Sequence, residues 1–222
     1  MTDLEQRAIE VHQRLVERYG KPTWRQDLSP VAELVSTILS QNTNDTNRDR
    51  AYEKLRERFP TWEQVRDADV EEIVEAIRVA GLANQKGPRI KNALEKITEL
   101  RGELSLEFLK DCSPEEAFEW LMQFKGVGPK TASIVMLFAL DMPAFPVDTH
   151  VHRVTGRLGI RPEKMNAEKA HQYLAALFPK EAFYTAHLNL IRLGREICKA
   201  RNPDCPNCPL QDLCDYYADR FE

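Results

Sequence analysis

Leu121-Met122-Gln123-Phe124-Lys125-Gly126-Val127-Gly128-Pro129-Lys130-Thr131-Ala132 is the stretch on which the reading of this 222-residue chain turns. A helix opening at Ser113 runs into Gly126-Val127-Gly128, and a second opens near Pro129 and continues through Leu140. Proline suits a first helical position, where its missing N–H would be unpaired in any case. Two glycines one residue apart allow a tight turn whose amides approach an anion without Cβ interference. The new helix adds free N–H groups and the positive end of its dipole. Gly126, Val127 and Gly128 therefore predict a phosphate clamp indifferent to base sequence. An ordinary helix–helix turn with a glycine cap is the competing account. Lys130 stands in the first helical turn, against the dipole, which disfavours the ammonium and frees the amine as a nucleophile. A surface lysine that touches phosphate is the alternative.

The surroundings are helical as well. Leu4, Ala8, Val11, Leu15 and Tyr19 recur at three-to-four spacing and stop at Gly20-Lys21-Pro22. Ser29-Pro30 opens another helix, Thr61 with Gln64 and Ser113 with Glu116 form capping boxes, and Ile73/Ile77 and Ile90/Leu94/Ile97 keep helical spacing. Strand-like alternation is nearly absent. About ten short helices follow, with no substantial sheet. Two prolines in Asp141-Met142-Pro143-Ala144-Phe145-Pro146 exclude a continuing helix and mark a candidate domain boundary. Beyond it, Asp148 fits the N-cap of the next helix. A capping aspartate can also turn its carboxylate into a cleft beside a lysine, so a catalytic Asp148 stands as the second reading. His150 and His152 read as partly exposed helix residues.

Composition narrows the function. With 42% hydrophobic and 30% charged residues, the chain buries roughly 70–75% of its unfolded surface. Disorder is excluded, no apolar run is long enough to span a membrane, and the acidic N-terminus lacks the pattern of a secretory signal. The expectation is a soluble intracellular protein. Its net charge is −4, so any DNA contact must come from a local patch on an acidic body.

Four of the five cysteines crowd the C-terminal end as Cys198-x6-Cys205-x2-Cys208-x5-Cys214, while Cys112 stands alone and reads as a buried hydrophobic thiol. In an intracellular chain such a group points to a metal site. Structural zinc usually takes two close pairs, and only Cys205 and Cys208 form one here. The looser outer spacings favour a [4Fe–4S] cluster, with zinc as the alternative. Arg192, Arg195, Lys199 and Arg201 beside it read as charge compensation, as a DNA-facing patch, or as a solvated basic face.

Taken jointly, Gly126-Val127-Gly128-x-Lys130-Thr131-Ala132, Val147-Asp148-Thr149-His150 and the cysteine loop resemble the endonuclease III family, helix-hairpin-helix DNA glycosylases and AP lyases. Ile38-Leu39-Ser40-Gln41-Asn42-Thr43-Asn44-Asp45 resembles the family's DNA-inserting loop. The resemblance covers nearly the whole chain. It implies an all-α, two-domain fold: residues 23–142 as a six-helix barrel domain with the hairpin, and residues 1–22 plus 143–222 as an iron–sulfur cluster domain. It also implies a cleft between the domains, into which a damaged nucleotide of double-stranded DNA is flipped.

In that cleft Lys130 attacks the sugar C1′, expels the base as a Schiff base forms, and nicks the strand by β-elimination. Asp148 activates the lysine and stabilises developing positive charge. Gln41 or Asn42 fills the hole in the stack; Lys125, Gly126, Val127 and Gly128, with Lys199 and Arg201, contact DNA. Cys198, Cys205, Cys208 and Cys214 hold a structural [4Fe–4S] cluster. Oxidised pyrimidines are the family's typical substrates, and a monomer acting in the cytoplasm at the nucleoid is implied. Two departures stand out: Lys125 replaces the usual proline before the hairpin, and Pro129 sits where a basic residue is common. They leave open a glycosylase of the same fold for alkylated, mismatched or methylated bases. A non-catalytic DNA-binding module is the remaining alternative.

Overall fold

The computed structural model describes residues 2–24 and 26–221. Among them every α-helix and 3-10 turn belongs to one sequence of elements, and no strand occurs: α1 (Asp3–Tyr19), α2 (Pro30–Ser40), α3 (Asp45–Arg58), α4 (Trp62–Asp67), α5 (Val70–Ala76), α6 (Ala83–Arg101), α7 (Pro114–Met122), α8 (Pro129–Ala139), α9 (Thr149–Arg157), α10 (Ala167–Leu177), α11 (Phe183–Glu196) and α12 (Asp215–Phe221). Short 3-10 turns join several of them. The chain divides into two compact units, Gln26–Met142 and Met1–Arg25 together with Pro143–Glu222.

In the Gln26–Met142 unit, α2 is the central strut. Leu34, Val35, Ile38 and Leu39 are fully buried, and the helix packs on α8, α3 and α6. Its start is set by Ser29, whose hydroxyl accepts from the Ala32 amide, with Pro30 at the first helical position. On α8 the inner face is built from Thr131, Ala132, Val135, Met136 and Ala139, a mix of small and large side chains that seats it against α2. The Ile90/Leu94/Ile97 row of α6 is fully buried, and α4 and α5 pack on that helix. Both expected capping boxes are present, Thr61 with Gln64 and Ser113 with Glu116. The helix before the hairpin ends at Met122, earlier than the sequence suggests. Phe124 turns its ring into the core, and its carbonyl takes the Val127 amide at 3.0 Å, so the chain tightens into a turn over Gln123–Lys125.

In the other unit α1 buries Ala8, Val11 and Leu15 and packs on α11 and α10, a placement the sequence leaves undecided. Its N-terminus carries a Thr2–Glu5 capping box, and Asn189 of α11 donates to the Gly20 carbonyl at 3.0 Å beyond its C-terminal end. Arg14 binds both carboxylate oxygens of Asp212, at 2.5 and 2.8 Å, and Arg7 meets Asp215 at 2.8 Å. The N-terminal helix thereby braces the C-terminal loop on either side of Cys214.

Candidate active site and cluster loop

The turn between α7 and α8 uses its two glycines differently. Gly126 adopts φ +86°, where a side chain is strained, and a Cβ there would lie 2.6 Å from Arg89 Cδ. Gly128 is extended, and a Cβ on it would meet nothing within 4 Å. Val127 between them is buried and anchors the turn. The Ala132 amide donates to the Gly128 carbonyl at 3.0 Å, while the amides of Gly128 and Lys130 have no acceptor among the described residues. Lys125 and Lys130 are exposed. The turn therefore offers open N–H groups at a helix N-terminus with two cations beside them, an arrangement suited to a phosphate.

Gln41 is tied into this turn. Its Nε2 donates to the Gly126 carbonyl at 2.9 Å, and its Oε1 accepts from Arg89 Nη1 at 3.0 Å. The next residue, Asn42, is exposed with φ +52°. Behind this loop, Lys86 is 1% exposed and donates to the carbonyls of Leu39, at 2.7 Å, and Ala80, at 2.9 Å. Burial, aided by the Arg89 charge, pulls its pKa below the usual lysine value. The sequence reading passed over both Lys86 and Leu82. Leu82 is a 47% exposed apolar side chain at φ +51°, a combination that composition and periodicity do not single out.

Asp148 caps α9, its Oδ1 accepting from the Val151 amide at 2.7 Å. The approach to it, Phe145-Pro146-Val147, has no regular structure and is buried. Two histidines hold it. His187 Nδ1 lies 2.9 Å from the Pro146 carbonyl, and His171 Nδ1 lies 3.1 Å from the Phe145 carbonyl and 3.2 Å from the Val147 nitrogen. Neither histidine was singled out from the sequence, where they lie 24 and 41 residues from their contacts. His150 and His152, which were, face Arg153 and Arg161 as half-buried helix residues.

The four cysteines of the terminal loop line one recess with Val154, Arg157 and Leu193. Among the described residues no three His, Cys, Asp or Glu side chains form a group able to hold a single metal ion; the thiols are spread around the recess. Burial raises the thiols of Cys205, Cys208 and Cys214, that of Cys208 to about 11. Thiols in such a setting keep their protons unless a cationic centre takes their place, so the donor set suits an iron–sulfur core. Arg157 adds an N–H donor to Cys198 Sγ at 3.3 Å, and it also holds the carbonyls of Lys199, at 2.7 Å, and Ala200, at 3.1 Å. Spacing along the chain gave no sign of this arginine, which stands 41 residues before Cys198. Lys199 and Arg201 are exposed on the loop, whereas Arg192 turns to Glu196 and the Tyr19 ring. Cys112, read as a buried thiol, is half-buried, with its sulfur 3.8 Å from the Phe108 carbonyl.

Comparison with known proteins agrees with this geometry. Residues 35–180 match the HhH-GPD superfamily of base excision DNA repair proteins, and residues 198–214, from the first clustered cysteine to the last, match the iron-sulfur binding domain of endonuclease III. Endonuclease III of Sulfolobus acidocaldarius is 37% identical over 193 residues, 86% of this chain and 84% of that protein. The Thermotoga maritima enzyme is 32% identical over 211 residues, 95% of this chain and 93% of its own. A solved structure described as a trapped endonuclease III–DNA covalent intermediate superposes with a TM-score of 0.84 at 28% identity, covering both chains completely. A non-covalent endonuclease III–DNA complex gives 0.83, covering 99% of each chain. With its hairpin, its cluster loop and these relatives, the chain belongs to the endonuclease III family of base excision DNA glycosylases and carries a [4Fe–4S] cluster.

Proposed function

We propose that this glycosylase is bifunctional, excising oxidised pyrimidines from duplex DNA and then cleaving the strand at the resulting abasic site. The observation that carries the reading is Lys130, exposed in the first turn of α8 directly behind the open amides of the hairpin. A phosphate seated on that turn brings the neighbouring sugar to the lysine. The deprotonated Lys130 amine attacks C1′ of a flipped nucleotide, and the C1′–N bond breaks as the base leaves with a proton. Ring opening yields a protonated Schiff base. Loss of a C2′ proton then expels the 3′ phosphate, and water releases Lys130 from the imine. Asp148, held by its capping bond to Val151, takes the proton from the lysine ammonium and stabilises positive charge on the sugar. The covalent endonuclease III–DNA intermediate described above supports a nucleophilic lysine.

In this reading Lys125, Gly126, Val127, Gly128, Lys199 and Arg201 contact the backbone of a duplex bearing a damaged base or abasic site, and the protein acts as a monomer at the nucleoid. Asn42, exposed at the tip of its loop, fills the hole in the stack, and Gln41 stays bound to Gly126. Cys198, Cys205, Cys208 and Cys214 hold the cluster, which cross-links the loop presenting Lys199 and Arg201.

The test is borohydride trapping on a duplex with one oxidised pyrimidine. A covalent adduct is expected from the native protein and none from Lys130→Ala, whose duplex affinity remains within a few-fold. Unchanged trapping by the variant removes Lys130 from the mechanism. Trapping on an abasic duplex but not on the oxidised pyrimidine retains the lyase and replaces the substrate.

A further inference from the structure

We infer that His187 and His171 are positioning residues for Asp148, acting through the backbone strip that leads to it; the inference rests on the role proposed for Asp148. The strip Phe145-Pro146-Val147 is a non-helical segment inside the core, with Phe145 and Val147 each 2% exposed. Buried carbonyls there need donors, and neither a helix ladder nor a strand partner supplies them. Pro146 also has no N–H of its own to give. The donors come from imidazoles on two different helices. His187 of α11 is 2% exposed and meets the Pro146 carbonyl, two residues before Asp148. A carbonyl accepts only, so Nδ1 of His187 carries its proton. His171 of α10 is 6% exposed and sits against both the Phe145 carbonyl and the Val147 amide, and each of its tautomers satisfies one of the two.

Rings complete the anchorage. Phe145 stacks on Phe178 at 4.9 Å and meets Phe183 edge-on at 5.3 Å. These two phenylalanines flank the segment between α10 and α11, so the elements that provide the imidazoles also grip the strip by its side chain. The remaining fixed point is the capping bond from Val151 to Asp148 Oδ1. Asp148 is thus clamped in front by its own helix and behind by two histidines. Removing the His187 donor orphans a buried carbonyl, and the strip must shift to find another partner. A carboxylate that handles a proton in the transition state is sensitive to such a displacement, whereas phosphate contacts made by the hairpin are not.

The experiment measures single-turnover borohydride trapping on a duplex with one abasic site, with duplex affinity and melting temperature recorded for each protein. His187→Leu is expected to trap on the order of ten- to a hundredfold more slowly, with duplex affinity within twofold. His187→Asn, whose amide N–H stands where Nδ1–H stood, is expected to recover most of the rate. His187→Gln, whose N–H falls near the Nε2 position, is expected not to. In an Asp148→Asn background, His187→Leu is expected to remove nothing further from the residual rate. Native-like trapping by a folded His187→Leu, equal losses in the Asn and Gln variants, or an additive loss in the Asp148→Asn background each overturns the inference. If the leucine variant does not fold, the Asn–Gln comparison carries the test. Full trapping by Asp148→Asn overturns the underlying role of Asp148. A dead Asp148→Asn beside a fully active His187→Leu overturns only the positioning.

Discussion

Glu33 and Lys86 are both charged side chains drawn into the Gln26–Met142 unit, and their surroundings treat them oppositely. Lys86 finds two backbone carbonyls, one at the last turn of α2, so its buried ammonium is compensated by hydrogen bonds. Glu33 has the Thr37 hydroxyl at 3.1 Å, and burial raises its pKa above 4.5 despite that bond and the Arg48 charge. The folded state therefore favours the protonated acid. The stability that this confers is fully present below about pH 4.5 and is lost as pH rises through the folded pKa. At neutral pH the Glu33 carboxylate thus opposes folding. Glu33→Gln keeps an oxygen for Thr37 and is expected to raise the melting temperature at pH 7, by on the order of 1 kcal/mol for each unit of displaced pKa. The gain should shrink towards pH 4. Melting curves at the two pH values check this, and an equal gain at both would show that charge is not the cause.

The hairpin shows the same separation at the scale of an element. Gly126 and Gly128 look interchangeable in sequence, but only Gly126 has a positive φ and a neighbour, Arg89, where its Cβ would go. Gly126→Ala is expected to cost about 1–2 kcal/mol for the left-handed backbone alone. Its melting temperature should fall and its duplex affinity with it, because the Gln41–Gly126 bond shifts too. Gly128→Ala should leave the melting temperature nearly unchanged and weaken duplex binding, since its Cβ enters the open space in front of the free amides. Thermal melting and duplex titration of the two variants test the contrast; a shared phenotype would refute it. Elements of this kind were legible because their determinants are local. The Thr61–Gln64 and Ser113–Glu116 boxes, the Ser29-Pro30 start and the Asp148 cap each lie within three residues of sequence. The approach to Asp148 was not legible, because a non-helical strip is stabilised by histidines from distant helices. The same holds for Arg157, which reaches Cys198 from α9, and for the early end of α7, where burial of the Phe124 ring overrides the helical pattern.

For the molecule as a whole, the net charge of −4 sets the terms on which DNA is bound. A uniformly basic protein gathers phosphates over a broad surface, and its affinity falls steeply with salt. Here the acidic residues are largely arranged as exposed pairs with arginine or lysine, such as Arg58–Glu72, Arg78–Glu75, Lys96–Glu99 and Lys110–Glu107. These pairs add little stability, but they withdraw cations from the pool that could meet phosphate. The exposed cations proposed for DNA contact are Lys125, Lys130, Lys199 and Arg201. If each neutralises one phosphate, the logarithm of the duplex association constant should fall against the logarithm of salt concentration with a slope of about −3.6. The unpaired hairpin amides, which carry no net charge, add affinity without adding to that slope. Titration of an undamaged duplex from low to high salt measures it, and Lys125→Ala or Arg201→Ala should each make the slope shallower by about one. A slope twice as steep would mean that cations now seen in surface pairs exchange their carboxylates for phosphate on binding, and Arg58→Ala or Arg78→Ala would then flatten it instead.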